Sequence, residues 1–159
     1  MANLHREALE LAIKESKENA SNNYKKGGPF GAAILKDGKI IASAHNTVVE
    51  SKDATAHAEI NAIREASKVL GTHDLSGCIL YTSAEPCPMC LSAIIWANIK
   101  EVYYANTRKD SAEFGFRDDM IYEYLYGDSD NVVEINHIKS QEALNVFELF
   151  KKMEDKNMY

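Results

Sequence analysis

The sequence has few cysteines, no long apolar run and no excess of cations. Its three cysteines are odd in number and too few for the disulfide framework of a small secreted protein. No apolar run approaches the roughly 20 residues that cross a bilayer. The acidic N-terminal segment "MANLHREALELAIKESKE" is unlike a signal peptide. We therefore expect a cytoplasmic protein that contacts no membrane.

The balance of charge is acidic, with a formal net charge of -6. Proteins that bind nucleic acid without sequence preference do so mainly by neutralising phosphates with Lys and Arg. We therefore expect no nucleic-acid partner and a small or neutral substrate. The 159 residues show no repeat, linker or low-complexity tract, which favours a single domain over residues 1–159.

The apolar periodicity predicts helices that alternate with strands. Asp37-Gly38 between two apolar runs is a strong hairpin signal, and a strand, a helix and another strand in succession imply parallel neighbours. Asp53 or Thr55 is expected to cap the second helix. Residues 107–119 show no clean period. The predicted elements are helices over 3–22, 55–71, 88–99, 120–128 and 141–156, and strands over 30–36, 39–46, 78–83, 101–106 and 132–139.

Two short motifs carry the chemistry, and each is ambiguous alone. His57-Ala58-Glu59 begins a predicted helix, where a lone histidine is usually a cap or surface residue. In "PCPMC", Cys87 and Cys90 stand where a strand passes into a helix, which would also suit a redox pair. Together the motifs offer three zinc ligands and a carboxylate, a set one ligand short of a closed structural site. This set is typical of catalytic zinc, with the fourth position left to water.

The predicted helix starts favour this chemistry. Backbone N–H groups at a helix N-terminus stabilise thiolates, and Pro86 and Pro88 are tolerated there. Two thiolates neutralise the charge of one Zn²⁺, so a nearby base is needed to help activate water, and Glu59 is the candidate. Residues two apart on a regular helix point in different directions. His57 must therefore lie in the first turn or just before it.

The combination of His-x-Glu with Pro-Cys-x-x-Cys is the signature of zinc-dependent nucleobase deaminases. The segments "GGPFGAAILKDGKIIASAHN", "TAHAEINAIREA" and "LYTSAEPCPMCLSAIIWA" resemble those of bacterial guanine deaminases over nearly the whole chain. Ala54 and Ala84 depart from the residues common in that family, and neither change removes a ligand. The resemblance implies a three-layer α-β-α cytidine-deaminase-like fold of the α/β class with a mixed five-stranded sheet.

The same resemblance implies an activity and a cofactor. It implies hydrolytic deamination of guanine to xanthine and ammonia, with one Zn²⁺ per chain held by His57, Cys87 and Cys90. Zinc-bound hydroxide would attack the carbon that bears the amine. Glu59 would carry the proton from water to a ring nitrogen and then to the leaving ammonia.

Several residues are candidates for holding a purine base. Phe30, Phe114 and Phe116 can each stack on a ring or serve as ordinary core aromatics. Asn46 can both donate and accept hydrogen bonds, and the resemblance implies that it contacts the base. The resemblance also assigns Asp118 to the N1–H group of guanine, although the neighbouring Asp119 is chemically equivalent.

The C-terminal residue, Tyr159, admits two interpretations. A final "NMY" is most often a frayed tail. The resemblance implies instead a homodimer whose C-terminal segments are exchanged, so that Tyr159 reaches the active site of the partner.

Other functions compatible with the motifs fall into three classes. Guanosine, cytosine, aminotriazine or tRNA adenine deamination would use the same ligands, but a tRNA enzyme would need a basic face. A thiol-disulfide oxidoreductase would use Cys87 and Cys90 and leave the His57 motif unexplained. A noncatalytic zinc-stabilised binding domain would need a fourth ligand such as Cys78.

Overall fold

The computed structural model describes residues 2–127 and 132–159 of the chain. A 3-10 helix, Glu18–Asn22, follows the first α-helix. Within these ranges no helix combines the length and apolar character needed to cross a membrane. The other elements are α1 (Ala2–Glu15), β1 (Gly31–Lys36), β2 (Lys39–His45), α2 (Val48–Ser51), α3 (Ala58–Leu70), β3 (Cys78–Ala84), α4 (Pro88–Trp96), β4 (Glu101–Asn106), α5 (Arg108–Glu113), α6 (Asp118–Tyr126) and α7 (Gln141–Lys152).

The first two strands form the predicted hairpin. Asp37 and Gly38 have φ values of 48° and 75°, the left-handed conformation that a tight two-residue turn requires at both central positions. The antiparallel register shifts between Ile34 and Leu35, which marks a bulge in the ladder.

The four strands make one mixed sheet in the order β2-β1-β3-β4. β1 pairs antiparallel with both β2 and β3, whereas β3 and β4 run parallel. The chain returns from β3 to β4 through α4, as the succession of strand, helix and strand predicts. The carboxyl end of β3 therefore leads directly into the Cys87 segment.

Alternation along β1 divides the core between the two faces of the sheet. Ala33 and Leu35 pack with Ala8 and Ala12 of α1 on one face. Ala32 and Ile34 point to the other face, where they pack in a second cluster with α3 and α4 residues such as Ala62 and Ile94. The result is the predicted three-layer α-β-α arrangement.

The expectation of a fifth strand over 132–139 is wrong for the described chain, in which the sheet has four strands. Residues 132–139 are rich in Val and Ile, which favour strands, but form no ladder. Ile135 and Ile138 are exposed, by 76% and 88%. A strand needs a neighbouring backbone to bond, and a favourable composition alone does not supply one.

Helices α3 and α5 differ from the sequence prediction. His57 is the N-cap of α3, in place of the expected Asp53 or Thr55. Asp53 instead accepts hydrogen bonds from the backbone N–H and hydroxyl of Thr55, closing a turn before the helix. The region without clean period contains α5, which begins with a capping box between Thr107 and Asp110.

Candidate active site

The three predicted metal ligands meet where two helices begin. His57 is extended, with φ −65° and ψ 157°, immediately before α3. Cys87 is likewise extended before α4, with φ −64° and ψ 167°, and Cys90 lies in the first turn of that helix. Pro88 occupies the first helical position, where the missing N–H costs no helical hydrogen bond. Both helix N-termini therefore direct their side chains to one point.

The distances among these atoms fit a zinc ion. The ligand atoms of the three residues all lie within 4.8 Å of one another. His57 Nδ1 is 3.6 Å from Cys87 Sγ and 3.5 Å from Cys90 Sγ. Ordinary Zn–S and Zn–N bond lengths with tetrahedral angles place such ligand atoms about 3.6 Å apart. One nitrogen and two sulfurs leave the fourth tetrahedral position open.

The two thiols differ electrostatically. A hydrogen bond from the Cys90 thiol, together with the nearby His57, lowers the pKa of Cys87 to about 4. The same thiol-to-thiolate bond and burial raise the pKa of Cys90. The bond to the Cys87 sulfur also raises the pKa of His57. Binding of a divalent metal requires both sulfurs as thiolates, so it would displace the remaining thiol proton.

Glu59 brings a buried carboxylate to the same point, with only 6% of its surface exposed. Its Oε2 accepts from the Cys90 thiol at 3.5 Å, and its Oε1 accepts from the Thr82 hydroxyl at 3.2 Å. Burial raises the pKa of the Glu59 carboxyl, which favours its taking up a proton. Because His57 precedes the helix and Glu59 lies in its first turn, both side chains reach the site.

A cavity of about 290 Å³ opens onto this cluster. This volume is at the small end of the range for small-molecule sites. His57, Glu59 and Cys87 line it, and six lining residues come from the segment 111–121. The remaining lining residues are Gly27, Gly28, Phe30, Asn46, Val48, Val49, Ala84 and Glu85.

Four of the predicted substrate-binding residues line the cavity: Phe30, Asn46, Phe116 and Asp118. The Phe30 and Phe116 rings meet edge to face, with centroids 4.7 Å apart. Burial raises the pKa of the Asp118 carboxyl. Asp119 is not among the lining residues, and its Oδ1 accepts from Arg108 Nε at 2.7 Å.

The fifth predicted substrate-binding residue, Tyr159, lies away from the cavity of its own chain. The residue is 83% exposed, and its ring centroid lies 6.0 Å from that of Trp96 and 6.4 Å from that of His73. Phe114 is also exposed and lies outside the cavity lining.

Two supporting contacts were not predicted. Thr82 lies on the same face of β3 as the core residue Leu80 and donates a hydrogen bond to Glu59. A polar residue at a core-facing position of a strand is the sequence feature that could have indicated this bond. Glu85 accepts a hydrogen bond from the Arg108 backbone N–H at 2.6 Å, which joins the Cys87 segment to α5. A contact between two loops of this kind leaves no periodic trace in the sequence.

The fold and this site define a zinc-binding deaminase. Residues 2–106 match the family described as the cytidine and deoxycytidylate deaminase zinc-binding region. The chain belongs to this family.

The relatives divide by substrate. The chain is 48% identical to the guanine deaminase of Bacillus subtilis, over 84% of this chain and 86% of that protein. The crystal structure of guanine deaminase from Bacillus subtilis superposes with a TM-score of 0.90, at 44% identity, over 98% of both chains. These similarities confirm the resemblance to guanine deaminases.

A second relative acts on RNA. The tRNA-specific adenosine deaminase of Aquifex aeolicus is 46% identical over 98 residues, which are 61% of this chain and 62% of that protein.

A third similar protein has been solved in complex with the purine 2,6-diaminopurine. Its structure superposes with a TM-score of 0.65 at 36% identity, over 70% of this chain and 61% of that one.

Proposed function

We propose that this protein hydrolyses guanine to xanthine and ammonia. Water adds its oxygen at the carbon that carries the exocyclic amine, and that amine leaves as ammonia. The observation that carries the proposal is the buried Glu59 carboxylate beside three zinc-ligand side chains, at one side of a cavity sized for a small molecule. The similarity to a guanine deaminase over most of the chain supports the choice of substrate.

His57, Cys87 and Cys90 are the proposed zinc ligands. When bound at an open site of this kind, zinc activates a water molecule as the nucleophile. The Glu59 carboxylate is positioned to carry one proton of that water to a ring nitrogen, and then to carry the second proton to the departing amine. The Thr82 hydroxyl donates to Glu59 Oε1, so the carboxylate is oriented before substrate arrives.

Other lining residues of the cavity supply the proposed contacts to the base. Phe30 and Phe116 offer apolar ring surfaces, and Asn46 offers an amide. Guanine carries a donor at N1 that adenine lacks, and the Asp118 carboxylate is the proposed acceptor. Asp118 lines the cavity whereas Asp119 pairs with Arg108, and this difference favours Asp118 over its neighbour.

A homodimer with exchanged C-terminal segments is the proposed assembly. Every residue of α7 is exposed, including the apolar Phe147 at 75% and Val146 at 58%. An amphipathic helix with an uncovered apolar face needs a partner surface. β4 is also an edge strand of the described sheet, and an edge strand offers backbone groups to which a partner chain can bond. In such a dimer Tyr159 would reach the partner's cavity.

The proposal also covers the domain, the partner and the compartment of the protein. The chain acts as one deaminase domain over residues 1–159, and its partner is a small purine base and not a nucleic acid. The reducing cytoplasm is the proposed compartment, because the ligand cysteines must stay as free thiols to bind metal.

Deamination of tRNA adenosine is the second candidate function, because tRNA-specific deaminases match the chain well over about 60% of its length. The test is ammonia release from guanine, guanosine, adenine, cytosine and an anticodon stem-loop RNA, offered to zinc-loaded protein. We expect ammonia from guanine, with xanthine as the other product. Ammonia from the RNA and not from guanine would overturn the proposal and support the second candidate.

A further inference from the structure

Asn19, in the 3-10 helix, is a buried polar residue that the proposed chemistry does not use; only 2% of its surface is exposed. Its Nδ2 donates to the backbone carbonyl oxygen of Asn46 at 2.7 Å and to that of Gly28 at 3.3 Å. Two carbonyl oxygens can be satisfied only by the NH₂ end of the amide, which fixes the orientation of the side chain. Asn19 is thus bonded directly to a residue of the base-binding wall.

Asn46 is itself held in one orientation. Its Oδ1 accepts hydrogen bonds from the backbone N–H of Gly28 at 3.2 Å and of Val48 at 3.1 Å. Only the carbonyl end of the amide can accept two N–H groups. The backbone therefore engages the oxygen, and the NH₂ group is the end left to face the cavity and to donate to an acceptor on the base.

The surroundings of this pair are closely packed. A Cβ at Gly27 would lie 2.3 Å from the Asn46 carbonyl oxygen, 2.6 Å from its Oδ1 and 2.9 Å from Asn19 Nδ2. Only glycine fits beside these atoms. On the other side, Asn61 Nδ2 donates to the carbonyl of His45 at 2.9 Å, so the backbone is also held just before Asn46.

We propose that Asn19 is a positioning residue for substrate binding. It fixes the carbonyl of Asn46 and the Gly27-Gly28 loop, and thereby keeps the Asn46 NH₂ group presented to an acceptor of the purine base. It acts through Asn46 and does not touch the substrate. This inference rests on the proposed function for the identity of the base, but the arrangement of Asn46 can be tested without substrate.

The first test is the kinetics of Asn19→Asp, which keeps the size of the side chain and removes its donor. Loss of a contact made equally in the bound and transition states raises KM and leaves kcat nearly unchanged. We expect KM for guanine to rise about tenfold, with kcat within about twofold. Asn23→Asp is the matched control, because it adds the same charge at an exposed position at the end of the same 3-10 helix, and it should change neither constant. Asn19→Ala serves as the second variant if the aspartate variant folds poorly.

The second test is coupling to Asn46. If Asn19 acts through Asn46, then Asn19→Asp should have little further effect on KM in an Asn46→Ala background. Effects of the two changes that multiply would show an independent structural role and would overturn the proposal.

The third test needs no substrate and follows hydrogen exchange of the Gly28 and Val48 amides, which donate to Asn46 Oδ1. We expect Asn19→Asp to speed their exchange about tenfold, as Asn46→Ala does, while amides in α4 and the zinc content stay unchanged. Unaltered exchange in a folded variant would overturn the positioning role. Wild-type protein that deaminates no guanine would overturn the proposed function, and the exchange measurement would still decide the role of Asn19.

Discussion

Glu59 is the residue whose environment is most specialised for chemistry. Its carboxylate is buried, accepts a hydrogen bond from Thr82 and lies next to the sulfur of the proposed ligand Cys90. We predict that Glu59→Gln retains zinc and loses turnover by about 10³-fold or more, since one proton transfer is typically worth about 10² to 10⁴. The measurement is guanine turnover alongside metal analysis of the same sample. A variant with most of its activity would remove Glu59 from the mechanism.

Asp118 and Asp119 provide a matched pair of carboxylates, of which only the first lines the cavity. Asp118→Asn should lower kcat/KM on guanine by about 10- to 100-fold, because a charged acceptor for the N1–H donor is lost. Asp119→Asn removes a half-exposed ion pair with Arg108 and should change kcat/KM by less than about fivefold. Equal effects of the two variants would contradict the assignment of Asp118 as the acceptor.

Element boundaries followed from the sequence where the signals are local. Asp37-Gly38 specified its hairpin, and Gly71 ends α3 with a left-handed φ of 67°. The predicted start of α3 at residue 55 is wrong, because Asp53 closes a turn with the same kind of side-chain to backbone hydrogen bond that a helix cap makes. The missed helix α5 had a local signal as well, the Thr107 to Asp110 spacing of a capping box.

Contacts between distant segments could not be predicted in this way. The shared site of His57 and the two cysteines is an exception. It could be predicted because each motif carries ligand residues at a recognisable spacing. The bond of Thr82 to Glu59 depends on how β3 packs against α3, and the bond of Asn19 to Asn46 spans 27 residues. Similarly, the composition of residues 132–139 favours a strand. It does not indicate which neighbouring strand they would pair with.

The cap of α5 offers a test at the level of a single element. Thr107→Ala removes a side chain that accepts from the Asp110 N–H and should cost about 1 kcal/mol of the free energy of unfolding. That loss corresponds to a fall in Tm of about 3 °C for a domain of this size. Thr107→Ser keeps the hydroxyl and should preserve most of the stability. An unchanged Tm in the alanine variant would show that α5 unfolds independently of the domain.

For the whole molecule, the main question is whether the exposed C-terminal tail completes the active site of a partner chain. Removal of residues 157–159 deletes Tyr159 and should lower kcat/KM on guanine while zinc content and Tm stay constant. An unchanged kcat/KM would exclude a role of the tail in the site.

Mixing two impaired proteins tests whether the tail acts between chains. A tail-deleted chain has an intact Glu59, and a Glu59→Gln chain has an intact tail. If segments are exchanged, mixed dimers contain one site with both parts, and activity should return when the two proteins are unfolded and refolded together. No recovery, with mixed dimers demonstrated, would contradict the exchange.

The central claim is that a single zinc ion held by His57, Cys87 and Cys90 enables guanine deamination. The most direct measurement is guanine turnover while metal-free protein is titrated with zinc, with Cys90→Ala as the test variant. Cys78→Ala is the control, because Cys78 lies in the core at the start of β3 and outside the ligand cluster. We predict that turnover rises in proportion to zinc and levels off at about one ion per chain in wild type and Cys78→Ala, and stays absent in Cys90→Ala. Full turnover of metal-free protein, or of Cys90→Ala, would contradict the account.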